Sequence, residues 1–337
     1  MKVFFLLFAM SCTLVCAQQS DFNQVDFSTA DSVAMSHQGE SLHNLPVLTH
    51  KLTATLNTDV EKFRAIYTWV CTNIENDYGA YQKTKNKRRK LANDREALLK
   101  WNNNFTPKVF QKLREERKTA CTGYAYLTRE LATLAGLKSE IVDGHGRTAT
   151  VILNEDSLPN HSWNAVQLNG KWYLCDPTWS AGRVLLDDGA PKFENDYHKG
   201  YFLADPKLFI KNHYPLQTKW TLIENPPTYV EYIAGPLVYK ESFTPVVIPV
   251  SPKEMHLATV KNGTLNFSLE IPLTEKQEKI SLSIHNGIHE MVIQPNIHRI
   301  DNRYNFQYTF ARTGSYDVHI QVNDTIVATY VVRVKRK

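Results

Sequence analysis

Residues 161–179 read HSWNAVQLNGKWYLCDPTW, and the Asn169-Gly170 pair inside this stretch constrains the fold more than any other dipeptide in the chain. Asn-Gly between alternating apolar residues is the signature of a two-residue type I′ hairpin, whose two central residues both need positive φ. Such a turn pairs Leu168 with Lys171, sets Trp163 opposite Asp176, and sets His161 opposite Thr178. Side chains alternate faces along a strand, so His161, Trp163, Asp176 and Thr178 share one face. His161 and Asp176 become diagonal neighbours, roughly 7–8 Å apart at the backbone and within side-chain reach. Cys175 points to the opposite face.

A carboxylate bonded to one imidazole nitrogen fixes the tautomer and stabilises the imidazolium formed when the other nitrogen takes a proton. Such a pair works on a nucleophile. Cys121 is the best candidate, because CTGYAYLTRELATLAGLKSEIVDGHGR predicts a helix from about 121 to 135, stopped by Gly136. At a helix start the dipole and unpaired N–H groups favour thiolate and can hold an oxyanion. Each piece alone is commonplace in structural roles. Cys71 lies inside an apolar helix and reads as core, with a Cys71–Cys175 disulfide left open. Trp163, Trp172 and Trp179 read as packing, with Trp163 also walling the site. No Cys/His spacing suggests zinc, no metal or cofactor is expected, and LLDDGAPKFEND (185–196) reads as an acidic loop rather than a calcium site.

Residues 1–17 carry a charged start, a short apolar run and small residues before Gln18, the pattern of a secretory signal peptide. Cleavage after Ala17 is expected, lipid anchoring at Cys16 is not, and no later membrane span is visible. The chain is thus expected to be exported, periplasmic or extracellular. Beyond the leader only Cys71, Cys121 and Cys175 remain, too few for a disulfide framework. A net charge of +5 gives no reason to invoke a nucleic acid. The basic run KTKNKRRK (83–90) reads as a solvated loop or helix face, since no aromatic residue interleaves with its charges.

Residues 18–58 read as a helical lead-in. DVEKFRAIYTWVCTNIENDY (59–78) has helical apolar spacing, SEIVDG is a short strand, and TATVILN (148–154) reads as another. A Pro-rich stretch (228–252) reads as an extended connector. Beyond it, alternating strands over 253–337 predict a β-sandwich, and TGSYDVHI places a Tyr as in a tyrosine corner of an immunoglobulin-like domain. The first domain then occupies 18–227.

KTACTGYAYLTRELATLAGL, HSWNAVQL and GKWYLCDPTWSAG, in that order, resemble the transglutaminase-like superfamily, including its bacterial members and the kyphoscoliosis-type peptidases. RAIYTWVCTNIENDY looks like the helix before their core, and 201–227 like their closing segment. The resemblance implies an α+β papain-like core and thiol chemistry on acyl groups, with Cys121 as nucleophile, His161 as its partner and Asp176 orienting the ring. It adds Trp69 and Tyr124 as aromatic candidates for the site wall beside Trp163. It brings no match to the calcium sites of animal transglutaminases. The expected function is an exported cysteine peptidase or amidase acting on a peptide or protein. The alternatives are a transglutaminase joining Gln to amines, or an inactive exterior scaffold whose sandwich makes protein contacts. The motif NHS at Asn160 would place a glycan against His161, which favours a bacterial exported protein.

Overall fold

The computed structural model describes residues 19–187, 190–273 and 278–337. The expected leader, residues 1–17, lies outside them, as does the tip of the acidic stretch. The lead-in forms α1 (Ser28–Ser36) and α2 (Leu45–Thr53). Next comes α3 (Asp59–Asn73), started by a capping box between Thr58 and Glu61 that satisfies two otherwise orphan N–H groups. Its apolar face buries Val60, Phe63, Ile66, Tyr67 and Val70. Ile74 is extended, and β1 (Glu75–Asn76) pairs in parallel with β2 (Lys118–Thr119). Between those strands run α4 (Tyr78–Lys90) and α5 (Arg95–Glu116).

From β2 the chain turns into α6 (Cys121–Leu134), which ends before Gly136 at φ 80°. It packs on an antiparallel sheet of order β5-β4-β3-β8, made of β3 (Lys138–Gly146), β4 (His161–Leu168), β5 (Lys171–Cys175) and β8 (His213–Pro215). Asn169 and Gly170 have φ 50° and 80°, and Leu168 faces Lys171 as the turn chemistry requires. The ladder ends at the Asn164–Cys175 pair, so the expected Trp163–Asp176 and His161–Thr178 pairings do not form. Pro177 has no N–H to donate and starts α7 (Pro177–Ala181), with Asp176 as its N-cap. β6 (Gly182–Asp187) and β7 (Ala190–Asn195) form a hairpin where an acidic loop was expected. Then α8 (Pro206–Phe209) leads into β8.

Two expectations are corrected. Residues 148–154 are not a strand, and Ile152 is 95% exposed. Asn160 closes the base of this loop by accepting from Gly146 N–H at 2.6 Å and donating to its C=O at 2.9 Å, while β8 already occupies the sheet edge there. The same pair of bonds uses the Asn160 amide nitrogen that a glycan would need. The Pro-rich stretch is also more than an extended connector. It holds α9 (Tyr229–Ala234), β9 (Leu237–Val238), which pairs with the last strand, and β10 (Ile248–Ser251). Prolines at strand starts and turns remove few ladder bonds, so they do not prevent pairing.

The C-terminal region is a sandwich. One sheet runs β10-β12-β16-β15, built from β12 (Gly263–Glu270), β15 (His298–Ile300) and β16 (Arg303–Phe310). The other runs β11-β18-β17-β13-β14, from β11 (His256–Val260), β13 (Ile280–His285), β14 (Glu290–Ile293), β17 (Gly314–Val322) and β18 (Thr325–Lys335). Phe267, Leu282, Phe306, Ile320 and Tyr330 fill the space between them. Tyr316 donates to Arg312 C=O at 3.0 Å, closing the tyrosine corner. Arg147, just after β3, is tied to the α9–β9 stretch: its buried guanidinium donates to the Gly235 carbonyl at 2.7 Å and to those of Tyr232 and Pro236 at 3.3 Å. Among the described residues no helix is long and apolar enough to cross a membrane.

Candidate active site

Three elements converge on one point: the first residue of α6, the first residue of β4 and the residue after β5. His161 Nε2 lies 2.6 Å from Asp176 Oδ2. With that nitrogen engaged, Nδ1 is the ring atom left to face Cys121, the first residue of α6, whose protonation His161 and the Ser162 backbone N–H influence. Cys121 and His161 are each 8% exposed, whereas Asp176 is fully buried. Asn164 donates its side-chain N–H to Ala125 C=O at 2.9 Å and thereby ties β4 to α6. From α3, Tyr67 donates to the Asp176 carbonyl at 2.8 Å. Gly123 lies against β2, because a Cβ there would meet Thr119 Oγ1 at 1.9 Å. β4 and β2 thus hold the start of α6, and α3 holds the residue after β5.

Asp176 is a saturated carboxylate. Oδ1 accepts from the Thr178 and Trp179 N–H groups at 2.8 and 3.1 Å, and Oδ2 accepts from His161 and from His213, the latter at 2.9 Å. Burial alone would favour its neutral form, but the charge and hydrogen bond of His161, and then the hydrogen bond from His213, hold it well below the usual carboxylate range. Burial likewise opposes a charge on His161, yet Asp176 outweighs it and pushes that imidazole up to about 10. Burial would raise the Cys121 thiol, but the hydrogen bond and charge of His161 bring it below its ordinary value. A raised base beside a lowered acid favours thiolate and imidazolium over the neutral pair.

His213 was not anticipated from the sequence. Burial pushes it down to about 4, so it is neutral near pH 7. Its one ring proton serves the Asp176 anion, which can only accept; Nδ1 lies 2.6 Å from Asn212 Oδ1, and turning that amide brings its N–H to donate to Nδ1. Phe209 stacks on the ring at 3.9 Å. The ligand atoms of His161, Asp176 and His213 lie within 4.8 Å of one another. Their closest separations, 2.6 and 2.9 Å, are those of N–H···O bonds, shorter than two ligands around one ion usually stand.

The aromatic expectations are redistributed. Trp69 is buried in the core, donating to His37 C=O at 2.7 Å. Tyr124 is buried with its hydroxyl on Ile74 C=O at 2.5 Å. Neither walls the site, because both rings face the α3–α6 core. Trp163 is fully buried 6.0 Å from the His161 ring and packs on His213 and Phe209. Trp179 is the ring stacked on His161, at 5.0 Å and 26°, and it stays partly exposed. Tyr81, in the first turn of α4, is half-buried, and burial, then the Cys121 charge, push its phenol up to about 12. Cys71 and Cys175 are buried free thiols, so the open question of their pairing is closed. Burial pushes both pKa values well up, which removes them as nucleophiles.

A cysteine on a helix start, beside a histidine and an aspartate brought together by an antiparallel hairpin, defines a papain-like thiol-enzyme fold. Residues 46–177 match the family model of the transglutaminase-like superfamily, and the chain belongs to that superfamily. It is 30% identical over 287 residues to the Kyphoscoliosis peptidase of Homo sapiens, covering 82% of this chain and 39% of that one. It is 26% identical over 225 residues to Hillarin of Drosophila melanogaster, covering 64% of this chain and 25% of that one. The chain therefore spans about two fifths of the length of the kyphoscoliosis peptidases it matches.

Proposed function

We propose that this chain is an exported thiol hydrolase that cleaves peptide or amide bonds through Cys121, His161 and Asp176. The observation that carries the reading is the buried His161–Asp176 pair, its carboxylate held by four donors, with Cys121 at the helix start beside it. The thiolate attacks the carbonyl carbon and the carbonyl oxygen becomes an oxyanion. Among the described residues nothing accepts from the backbone N–H groups of Cys121 and Thr122, which leaves both to hold that charge. The tetrahedral species collapses, the C–N bond breaks, and the leaving amine takes the imidazolium proton. Water then gives a proton to His161 and attacks the thioester, which releases the acid and the thiolate. Asp176 keeps the ring in place throughout and takes no proton.

The test is turnover of internally quenched peptides by wild type and Cys121→Ala, with and without a fluorescent primary amine. Cysteine-dependent cleavage supports the reading. Amine incorporation that outruns cleavage would make the protein a transglutaminase, and activity surviving in Cys121→Ala would remove the thiol mechanism. Export rests on residues 1–17 and the expected cut after Ala17. It is checked by the N-terminus of the secreted protein, which should be Gln18.

A further inference from the structure

The site's surroundings contain a second feature that the relay does not use. β1 and β2 pair in parallel, with Asn76 beside Thr119 and Asp77 N–H donating to Thr119 C=O at 2.8 Å. Both chains then enter a helix, one at Tyr78 and the other at Cys121. The start of α4 is therefore fixed beside the nucleophile, and Tyr81 in its first turn senses the Cys121 charge. Asp77 caps α4 through Ala80 N–H and is held by Lys112 of α5 at 2.5 Å.

Beyond that first turn α4 carries Lys83, Lys85, Lys87, Arg88, Arg89 and Lys90 and no acidic residue. These six positive charges exceed the net +5 of the whole chain. All six residues are exposed, and none has an ion pair among the described residues. The macrodipole favours cations in the last turn of a helix only, and Lys83 and Lys85 lie before it. Like charges four positions apart, as in Lys83/Lys87 and Lys85/Arg89, weaken a helix. The row is therefore not explained by helix stability.

We propose that α4 is a docking strip for an acidic segment of the protein substrate, on one side of the residue attacked by Cys121. This rests on the thiol-hydrolase reading and adds the substrate's chemistry to it. At a rise of about 1.5 Å per residue the cations begin roughly 8 Å and end roughly 18 Å from the helix start. An extended chain advances about 3.4 Å per residue, so the acidic residues fall roughly two to five positions from the reacting one. An acidic polypeptide fits better than nucleic acid, because no aromatic ring interleaves with the charges and the strip starts at a site built for amides.

The test uses fluorescein-labelled decaglutamate and the full chain, with Lys85→Glu/Arg88→Glu/Arg89→Glu as the variant. Fluorescence anisotropy should show binding that weakens steeply from about 50 to 300 mM salt, and at least tenfold weaker binding to the variant. Uncharged iodoacetamide should still alkylate Cys121 in the variant within about twofold of wild type, which separates a failed strip from a failed thiol site. Among matched peptide substrates, a glutamate block on one side only should raise kcat/KM, and the variant should remove that advantage. Equal decaglutamate binding by variant and wild type would overturn the proposal. So would tighter binding of anionic lipid vesicles or duplex RNA than of decaglutamate, lost in the same variant, or an equal gain from acidic blocks on both sides.

Discussion

The surroundings of Asp176 and the outer face of α4 handle charge in opposite ways. Asp176 lies out of water with each carboxylate oxygen receiving two donors, and its neighbours shift one another's protonation. The α4 cations are exposed, with no carboxylate partner among the described residues. Losing one partner of a buried charge leaves an uncompensated ion and costs several kcal/mol. Exposed charges are screened and contribute little to stability. The first arrangement suits chemistry that needs fixed protons, and the second suits weak, adjustable attraction.

Breaking the buried side has the largest expected effect. Asp176→Ala leaves His161 without the charge that raises it and two helix N–H groups without an acceptor. Turnover should fall by about 10²–10⁴-fold and stability by about 3–5 kcal/mol, read by peptide cleavage and urea unfolding. A loss of turnover below tenfold would mean the relay is not engaged.

His213→Phe keeps a ring against Phe209 but removes one donor from Asp176. A stability loss of about 1–3 kcal/mol is expected at pH 7. The pH dependence sharpens the point. His213 titrates at about 4 in the folded protein and near 6.5 when unfolded, so the unfolded chain binds the extra proton first. Its contribution is present above pH 6.5 and fades as pH falls towards 4, by about 3 kcal/mol. Wild type should therefore lose stability over that window faster than His213→Phe. Parallel stability curves would show that folding does not lower the His213 pKa.

The smallest effect belongs to α4. The triple charge reversal there should change unfolding free energy by no more than about 0.5 kcal/mol while removing decaglutamate binding. A large loss of stability would place the helix among the structural parts.

What could be read from the sequence followed the range of the interaction. The hairpin was legible because Asn169-Gly170 fixes the register locally, and it pointed to His161 beside Asp176, although the ladder stops at Asn164–Cys175 before reaching either residue. The helix start at Cys121 and the stop at Gly136 were legible from equally local signals. His213 was not, because it lies 37 residues from Asp176 and is delivered by β8 pairing at the far edge of the sheet. Trp163 and Trp179 were both visible, but α7 replaces the strand after Asp176 and so brings Trp179 onto the His161 ring. The alternating TATVILN lacks a free sheet edge and stays a loop. The prolines of 228–252 suggested a bare connector, yet their neighbours join both sheets of the sandwich.

The central claim is that Cys121 and His161 form a thiolate–imidazolium pair. Its most direct measurement is alkylation by iodoacetamide from pH 4 to 9, mapped to each cysteine, for wild type and His161→Ala. Wild-type Cys121 should react rapidly at pH 5–6, where a free thiol with a pKa of about 8.5 is almost wholly protonated. His161→Ala should lose that acid-side reactivity, and Cys71 and Cys175 should stay unlabelled in the folded protein. A Cys121 profile that rises only near pH 8.5 and is the same in both proteins would contradict the account.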